Sequence, residues 1–348
     1  MLSPDVVSSC QLLSDAYNQL LGVRKYANVC NSLFIGKPGE IDPQWLIAVR
    51  NRTGLLKDTM AEFSRDQPDI TSSLLYPFIN YQTLFSALAD EKNSFKTAAD
   101  WLPGLQSLKD AINQAITSTD SANQRFKKDY QAVSAMQPLL EASIQEGWSA
   151  LADEEQQMVA IATAIGKLQQ EIHDIGQDLT ASDLRNGKSY VQSTVTIAYG
   201  VVMTAEMSIP FLSFAAVIFT IGSSVYDVIT TSQTIQKDLD ALTELQNTAS
   251  AEAQAAAATK VTIQLLSTLE KSFLSIQNTL PAISQMWKAE LEKINEVITA
   301  LNSGSDPALY FDLQTIKIAE ASWTTLFDLV QHIQAPIAVG KPVTVNIS

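Results

Sequence analysis

Glycine and proline are scarce in this chain, at 13 and 12 of 348 residues, and aromatic residues make up only 7%. A many-stranded sandwich or barrel needs frequent turn residues, so their scarcity points to long helices instead. Cysteine is nearly absent too: Cys10 and Cys30 lie twenty residues apart in a stretch that reads as one helix. Such a helix holds them about 30 Å apart along its axis. Two cysteines so placed make no disulfide framework, and a bridge within the chain would require the helix to bend back.

Basic residues are also few, 23 against 37 acidic ones, which gives a formal charge of −14. Nucleic acid and anionic lipid are both captured by basic patches, so neither is expected as an electrostatic partner. Any attachment to a membrane has to be hydrophobic. The two histidines, His173 and His332, lack zinc-site spacing, neither cysteine belongs to a CxxC pair, and Gly36-Lys37-Pro38-Gly39-Glu40 lacks the Gly-Lys-Ser/Thr of a phosphate loop. Glu171, His173, Asp174 and Asp178 cluster in sequence, but they follow a heptad helix where a solvated polar face is expected. No catalytic constellation, metal site or cofactor is expected. The opening MLSPDVVSSCQLL has no basic n-region, its first basic residue being Arg24, so no cleavable signal peptide is expected.

What the chain does have is an apolar run. Between Lys188 and Asp227 the only charged side chain is Glu206, and no Lys or Arg occurs from Ser189 to Gln236. Pro210 divides the run into halves of about 20 residues each, the length of a membrane-spanning helix. Hydrocarbon admits only structures that satisfy their own backbone, so the membrane form is expected to be a helical hairpin bent near Ser208 to Phe211. Its tip, free of basic residues, crosses while Arg185, Lys188 and Lys237 stay behind. The candidate inserting residues are Val191, Val195, Ile197, Tyr199, Val201, Val202, Met203 and Met207 in the first half. In the second they are Ile209, Pro210, Phe211, Leu212, Phe214, Val217, Ile218, Phe219, Ile221 and Val225, with Glu206 as a tip charge. As helices, the halves carry small faces at Ser189, Ser193, Thr196, Gly200 and Thr204 and at Ser213, Ala216, Thr220 and Ser223. These suit close helix packing or a weakly polar wall. Residues 191–202 are dense in β-branched side chains, which favour strands in water. The same segment suits a sheet-like tongue before insertion and a helix after it.

Around this run the chain reads as helical. A first helix covers residues 4–33 and ends at the breaker Gly36–Gly39. A second starts at Asp42-Pro43 and stops near Asp66 to Pro68, and a shorter segment runs from Leu74 to Phe95. Two long arms follow, from Leu105 to about Asn186 and from Thr230 to Asn302. Met158, Ile161, Ile165, Leu168, Ile172, Ile175 and Leu179 recur at spacings of three and four, as do Leu266, Leu269, Phe273, Ile276, Leu280 and Ile283, the pattern of helices packed side by side. Pro138 and Pro281 lie nearly equidistant from residue 209, which predicts a shared kink level in an antiparallel pair. The alanine-rich stretch 249–258 suits a crowded bundle interior. A last helix covers about Pro307 to Gln334, and the alternating Ile337, Val339, Val343, Val345 and Ile347 predict an extended strand on the bundle or at an edge. The expected fold is all-α, an elongated bundle of about five long helices. Residues 1–186 and 230–348 form the tail and 187–229 an apolar head.

Long antiparallel arms, a central apolar hairpin and an acidic composition resemble the ClyA-type α-helical pore-forming toxins of bacteria. The uniformly apolar hairpin is most similar to the B component of Gram-negative tripartite cytolysins, as in Aeromonas and Serratia. The resemblance implies a secreted subunit without enzyme activity or cofactor. Its tail packs in a homo-oligomer, its head enters the target-cell lipid bilayer, and partner subunits of the same family complete a hydrophilic pore. It further implies inserting helices at Val191 to Met207 and Ile209 to Val225, with a hinge at Asn186-Gly187. A subunit of a binary toxin, or a constitutive two-span membrane protein with a coiled-coil domain, are the alternatives.

Overall fold

The computed structural model describes residues 2–32, 43–185, 194–203, 208–218, 231–334, 338–339 and 343–346. Seven helices are described: α1 (Val6–Ser32), α2 (Gln44–Asp90), α3 (Ala98–Ala150), α4 (Glu155–Arg185), α5 (Gln233–Gln246), α6 (Ala251–Asn302) and α7 (Leu313–Gln334). The strands β1 (Thr194–Met203), β2 (Ser208–Ile218), β3 (Ala338–Val339) and β4 (Val343–Asn346) form one sheet. The helical bundle is the expected fold, and among the described residues strands are confined to the apolar run and the C-terminal tail. Cys10 and Cys30 both sit on α1, as the sequence suggested.

Two sequence expectations are corrected. α2 does not stop near Pro68 but runs through Pro68 and Pro77 to Asp90. Each proline removes a backbone donor at a cost of about 3 kcal/mol. Burial of Phe63, Ile70, Leu74 and Phe78 on the same helix offsets that cost. Secondly, neither arm is one helix. The first breaks at Leu151, which leaves helical geometry at φ −112° and ψ 32°, and the second breaks at Asn247–Ser250. Gln137 donates to Ser267 Oγ and Tyr130 lies 6.1 Å from Phe273, ring to ring, so α3 near Pro138 is beside residue 267 of α6.

The residues divide into two compact units. One comprises 1–17, 66–128 and 275–335. Its centre is aromatic: Phe78 and Trp287 lie 4.6 Å apart, Tyr81 and Trp323 4.2 Å, and the Trp287 and Trp323 rings stack at 5.9 Å. Trp323 Nε1 donates to the Leu2 carbonyl at 3.0 Å and Lys293 Nζ to the Ser3 carbonyl at 3.0 Å, which ties down the N-terminal residues. Lys293 also pairs at 2.7 Å with the buried Glu290, whose carboxyl burial pushes up against the pull of that lysine.

The other unit comprises 18–65, 129–274 and 336–348 and contains the sheet. The heptad seam is present where side chains are described: Met158, Ile161, Ile165 and Leu168 on α4 are buried, as is Phe273 on α6. Ala253 and Ala255–Ala258 are buried too, so the alanine-rich stretch is the crowded interior its composition suggested. Close approach recurs at Gly147 of α3, where a Cβ would meet the buried Trp45 ring at 2.5 Å. Gly147→Ala forces that ring out of its site, and we expect a loss of about 1–3 kcal/mol in denaturant unfolding, with Gly54→Ala, which meets nothing within 4 Å, as the harmless control.

Candidate functional site

The apolar run forms an antiparallel hairpin in this conformation. β1 and β2 pair from Thr194↔Val217 to Met203↔Ser208. β2 is the central strand: its other edge pairs with β4 from Phe211↔Asn346 to Phe214↔Val343, and with β3 at Val217↔Val339 and Ile218↔Ala338. Val339, Val343 and Val345 of the tail are thus strand positions, as their alternation predicted, and pair with the tongue, whereas Ile337 and Ile347 fall outside the described residues. β-branched residues at 194–197 and 201–202 supply the local preference. Ladder pairing on both edges at Phe211–Phe214 and Val217 makes this the best-satisfied part of the β2 backbone.

The candidate inserting residues are placed by this register. Val195, Ile197, Tyr199, Val201, Val202 and Met203 lie in β1, and Ile209, Pro210, Phe211, Leu212, Phe214, Val217 and Ile218 in β2. Val191, Met207, Phe219, Ile221 and Val225, the tip charge Glu206 and the hinge candidate Gly187 fall outside the described residues. Pro210 sits inside β2 opposite Val201, two residues past the start of the strand, so it does not mark the reversal here. Thr196, Gly200, Ser213 and Ala216 are strand positions here, and Ser189, Ser193, Thr204, Thr220 and Ser223 fall outside the described residues. Among the described residues no cluster could hold a metal ion, and no described helix is long and apolar enough to cross a membrane.

The tongue is carried by α4, which packs against both β1 and α5. Both helices end at the arm breaks, and the breaks are joined. The Glu154 carboxylate accepts from the Ser250 backbone N–H at 2.8 Å and from Ser250 Oγ at 2.7 Å. Ser250 Oγ in turn caps α6 by accepting from Ala253 N at 3.1 Å. Trp148 of α3, Val159, Thr163 and Gly166 of α4 and Lys260 of α6 line one groove of about 320 Å³, with Lys260 Nζ 3.7 Å above the Trp148 ring. A straight helix would put about 27 Å between residues 148 and 166, more than a groove of this size spans, so the chain bends at Leu151. Sequence reasoning missed this joint because it contains neither Gly nor Pro. Its signals are the acid run Asp153-Glu154-Glu155 and the capping residue Ser250 after Asn247-Thr248.

No protein-family profile matches the chain, and none of the curated proteins does. Among solved structures it is similar to motility-associated killing factor B from Vibrio cholerae, with 48% identity over 98% of this chain and 96% of that one and a TM-score of 0.85. A second structure, the cytotoxin MakB from Vibrio cholerae, aligns over 100% of both chains at 47% identity with a TM-score of 0.83. The chain belongs to the ClyA-type α-pore-forming toxin family. SmhA of the tripartite α-pore-forming toxin of Serratia marcescens shares the fold at 15% identity, covering 96% of this chain and 94% of that one, with a TM-score of 0.68. AhlB of the Aeromonas hydrophila tripartite toxin does so at 14% identity, covering 94% and 92%, with a TM-score of 0.64. Within the family, then, fold likeness does not single out the B component. For the joint, Glu154→Ala removes both acceptors from Ser250; we expect about 1 kcal/mol of destabilisation and faster amide exchange at residues 251–253 by mass spectrometry.

Proposed function

We propose that this chain is a pore-forming cytolysin subunit that converts its tongue, residues 187–229, into a membrane-spanning helical hairpin and completes a pore with other subunits. The observation that carries this reading is the run 189–226, with one charged side chain, whose residues 194–203 and 208–217 pair as antiparallel strands in a chain of the ClyA-type family. A strand pair cannot cross hydrocarbon alone because its edges stay unpaired, whereas two helices of this length can. Conversion requires β2 to leave β3 and β4 and both halves to become helical. The hairpin lacks a polar face, so it makes a poor lining for a water-filled channel, and a separate amphipathic subunit of the same family supplies the lining. The tripartite make-up of the Serratia and Aeromonas toxins supports partners of that kind. The Gly187 hinge, the Glu206 tip and kinks at Pro138, Pro210 and Pro281 belong to the inserted form in this reading. Dye release from liposomes, by the chain alone and with the proteins encoded beside it, tests the function directly. Release only in the mixture is the expected outcome, and no release in any mixture overturns the reading.

Two variants test the hairpin itself. An aspartate at a helix centre costs roughly 2.5–3.5 kcal/mol on insertion, so Val217→Asp or Phe214→Asp should abolish release while Glu206→Gln retains it. Parental release by Val217→Asp would mean that this segment does not span the bilayer. Ser213 and Thr344 are Cα partners across β2 and β4, close enough for a disulfide. Oxidised Ser213→Cys/Thr344→Cys should be inactive and regain release on reduction, because the bridge keeps β2 on the tail strand.

A further inference from the structure

Three charged side chains tie the helix that enters the tongue to the helix that leaves it. Lys167 Nζ on α4 donates to Asp238 Oδ1 on α5 at 2.7 Å and lies 3.5 Å from Glu171 Oε1, one turn along its own helix. The two carboxyl side chains are 24% (Glu171) and 14% (Asp238) exposed, against 60% for the lysine. Their second oxygens, Glu171 Oε2 and Asp238 Oδ2, are closed off from solvent, and no described donor reaches either. A carboxylate oxygen can only accept. Two such oxygens in one cross-helix contact need a donor between them, and a proton on one carboxyl provides it.

We propose that Lys167, Glu171 and Asp238 form a proton-operated clasp between α4 and α5, closed when the two carboxyls share a proton and loosened when both are ionised. Its consequence, holding or freeing the helices that carry the tongue, rests on the pore-forming reading; the clasp itself does not. Among the described residues, the charges that act on the pair are Lys167 and the two carboxyls themselves. Lys237 and Asp240 on α5 are exposed, and exposed Asp174 on α4 accepts from Gln170 at 2.8 Å. β1, which packs on α4, carries no charged residue. Across the groove Lys260 sits on Trp148, and Glu154 is bonded to Ser250.

Desolvation first, and the neighbouring Asp238 second, hold the Glu171 carboxyl above the ordinary glutamate value, against the pull of Lys167. The hydrogen bond from Lys167 holds Asp238 below the ordinary aspartate value. The raised group binds its proton more tightly in the closed arrangement, so its contribution is full below the unfolded value and is lost as pH rises through the folded one. The Asp238 contribution is present above the ordinary aspartate value and is lost as pH falls through its own lowered one. The clasp is therefore tightest in mild acid and looser at neutral pH.

The test uses the whole chain without membranes or partners, so failure of lysis and failure of the clasp are separable. Side-chain carboxyl NMR should show Glu171 titrating above the ordinary glutamate range. Amide protection around residues 167–171 and 235–240, corrected for intrinsic exchange, should fall as pH rises from mild acid through the Glu171 titration. The fall should reach up to roughly tenfold for each pH step by which the Glu171 titration is raised. Glu171→Gln keeps a donor toward Asp238 and should hold protection high across that range. Lys167→Met removes the cation and should move the Glu171 titration to still higher pH, a response that a purely structural lysine would not give. A Glu171 titration at or below the ordinary value, or a pH dependence unchanged in Glu171→Gln, overturns the proposal.

Discussion

A stretch of backbone with almost no charged side chains still carries an amide donor and a carbonyl acceptor at every residue except proline, and these have to be paired wherever the stretch is buried. Much of this structure answers that demand for residues 194–218. β1 pairs one edge of β2 from Ser208 to Val217, and the tail strands pair the other edge at Phe211–Phe214 and at Val217 and Ile218. In lipid the same demand excludes an open sheet and admits a helix. The proposed change from strand to helix follows from a single requirement met in two solvents.

The elements around the tongue differ in how firmly they are held. Near the heptad seam the contacts are apolar and fully buried, as at Phe273, whose ring lies 5.9 Å from that of Phe63. Contacts at the joints of α4 and α5 are polar and partly exposed: Glu154 to Ser250, Lys167 to Asp238, and Lys260 over Trp148. Of these, the exposed Glu154–Ser250 contact contributes about 0–1 kcal/mol and can be exchanged for water at little cost, whereas the seam cannot. Polar joints around an apolar hairpin are a division that permits movement without loss of the core.

Several features were legible in the sequence for definite reasons. The spacing of Met158, Ile161, Ile165 and Leu168 gave a packed helix face because burial follows the helical period. Small side chains at 253–258 implied close approach, and alternation in the tail implied a strand. Other features were not legible. Pro68 reads as a terminator on local grounds, yet Phe63, Ile70 and Leu74 bury enough surface to carry α2 through it. The break at Leu151 has no Gly or Pro to announce it, and depends on Glu154 finding Ser250, ninety-six residues away.

By itself the sequence determined that residues 189–226 carry a single charged side chain and that the flanking arms are helical. These are properties of composition and period, which local order fixes. Only the tertiary structure decided that the run is a hairpin of strands with the C-terminal tail on its open edge, since β-branched segments of this kind suit a strand or a membrane helix and the partner strand settles the choice. The tertiary structure also turned Glu171 from one acid among several on a polar face into a member of a cross-helix cluster. Its partner Asp238 lies on the far side of the tongue in sequence, and only the folding back of the chain brings the two carboxyls together.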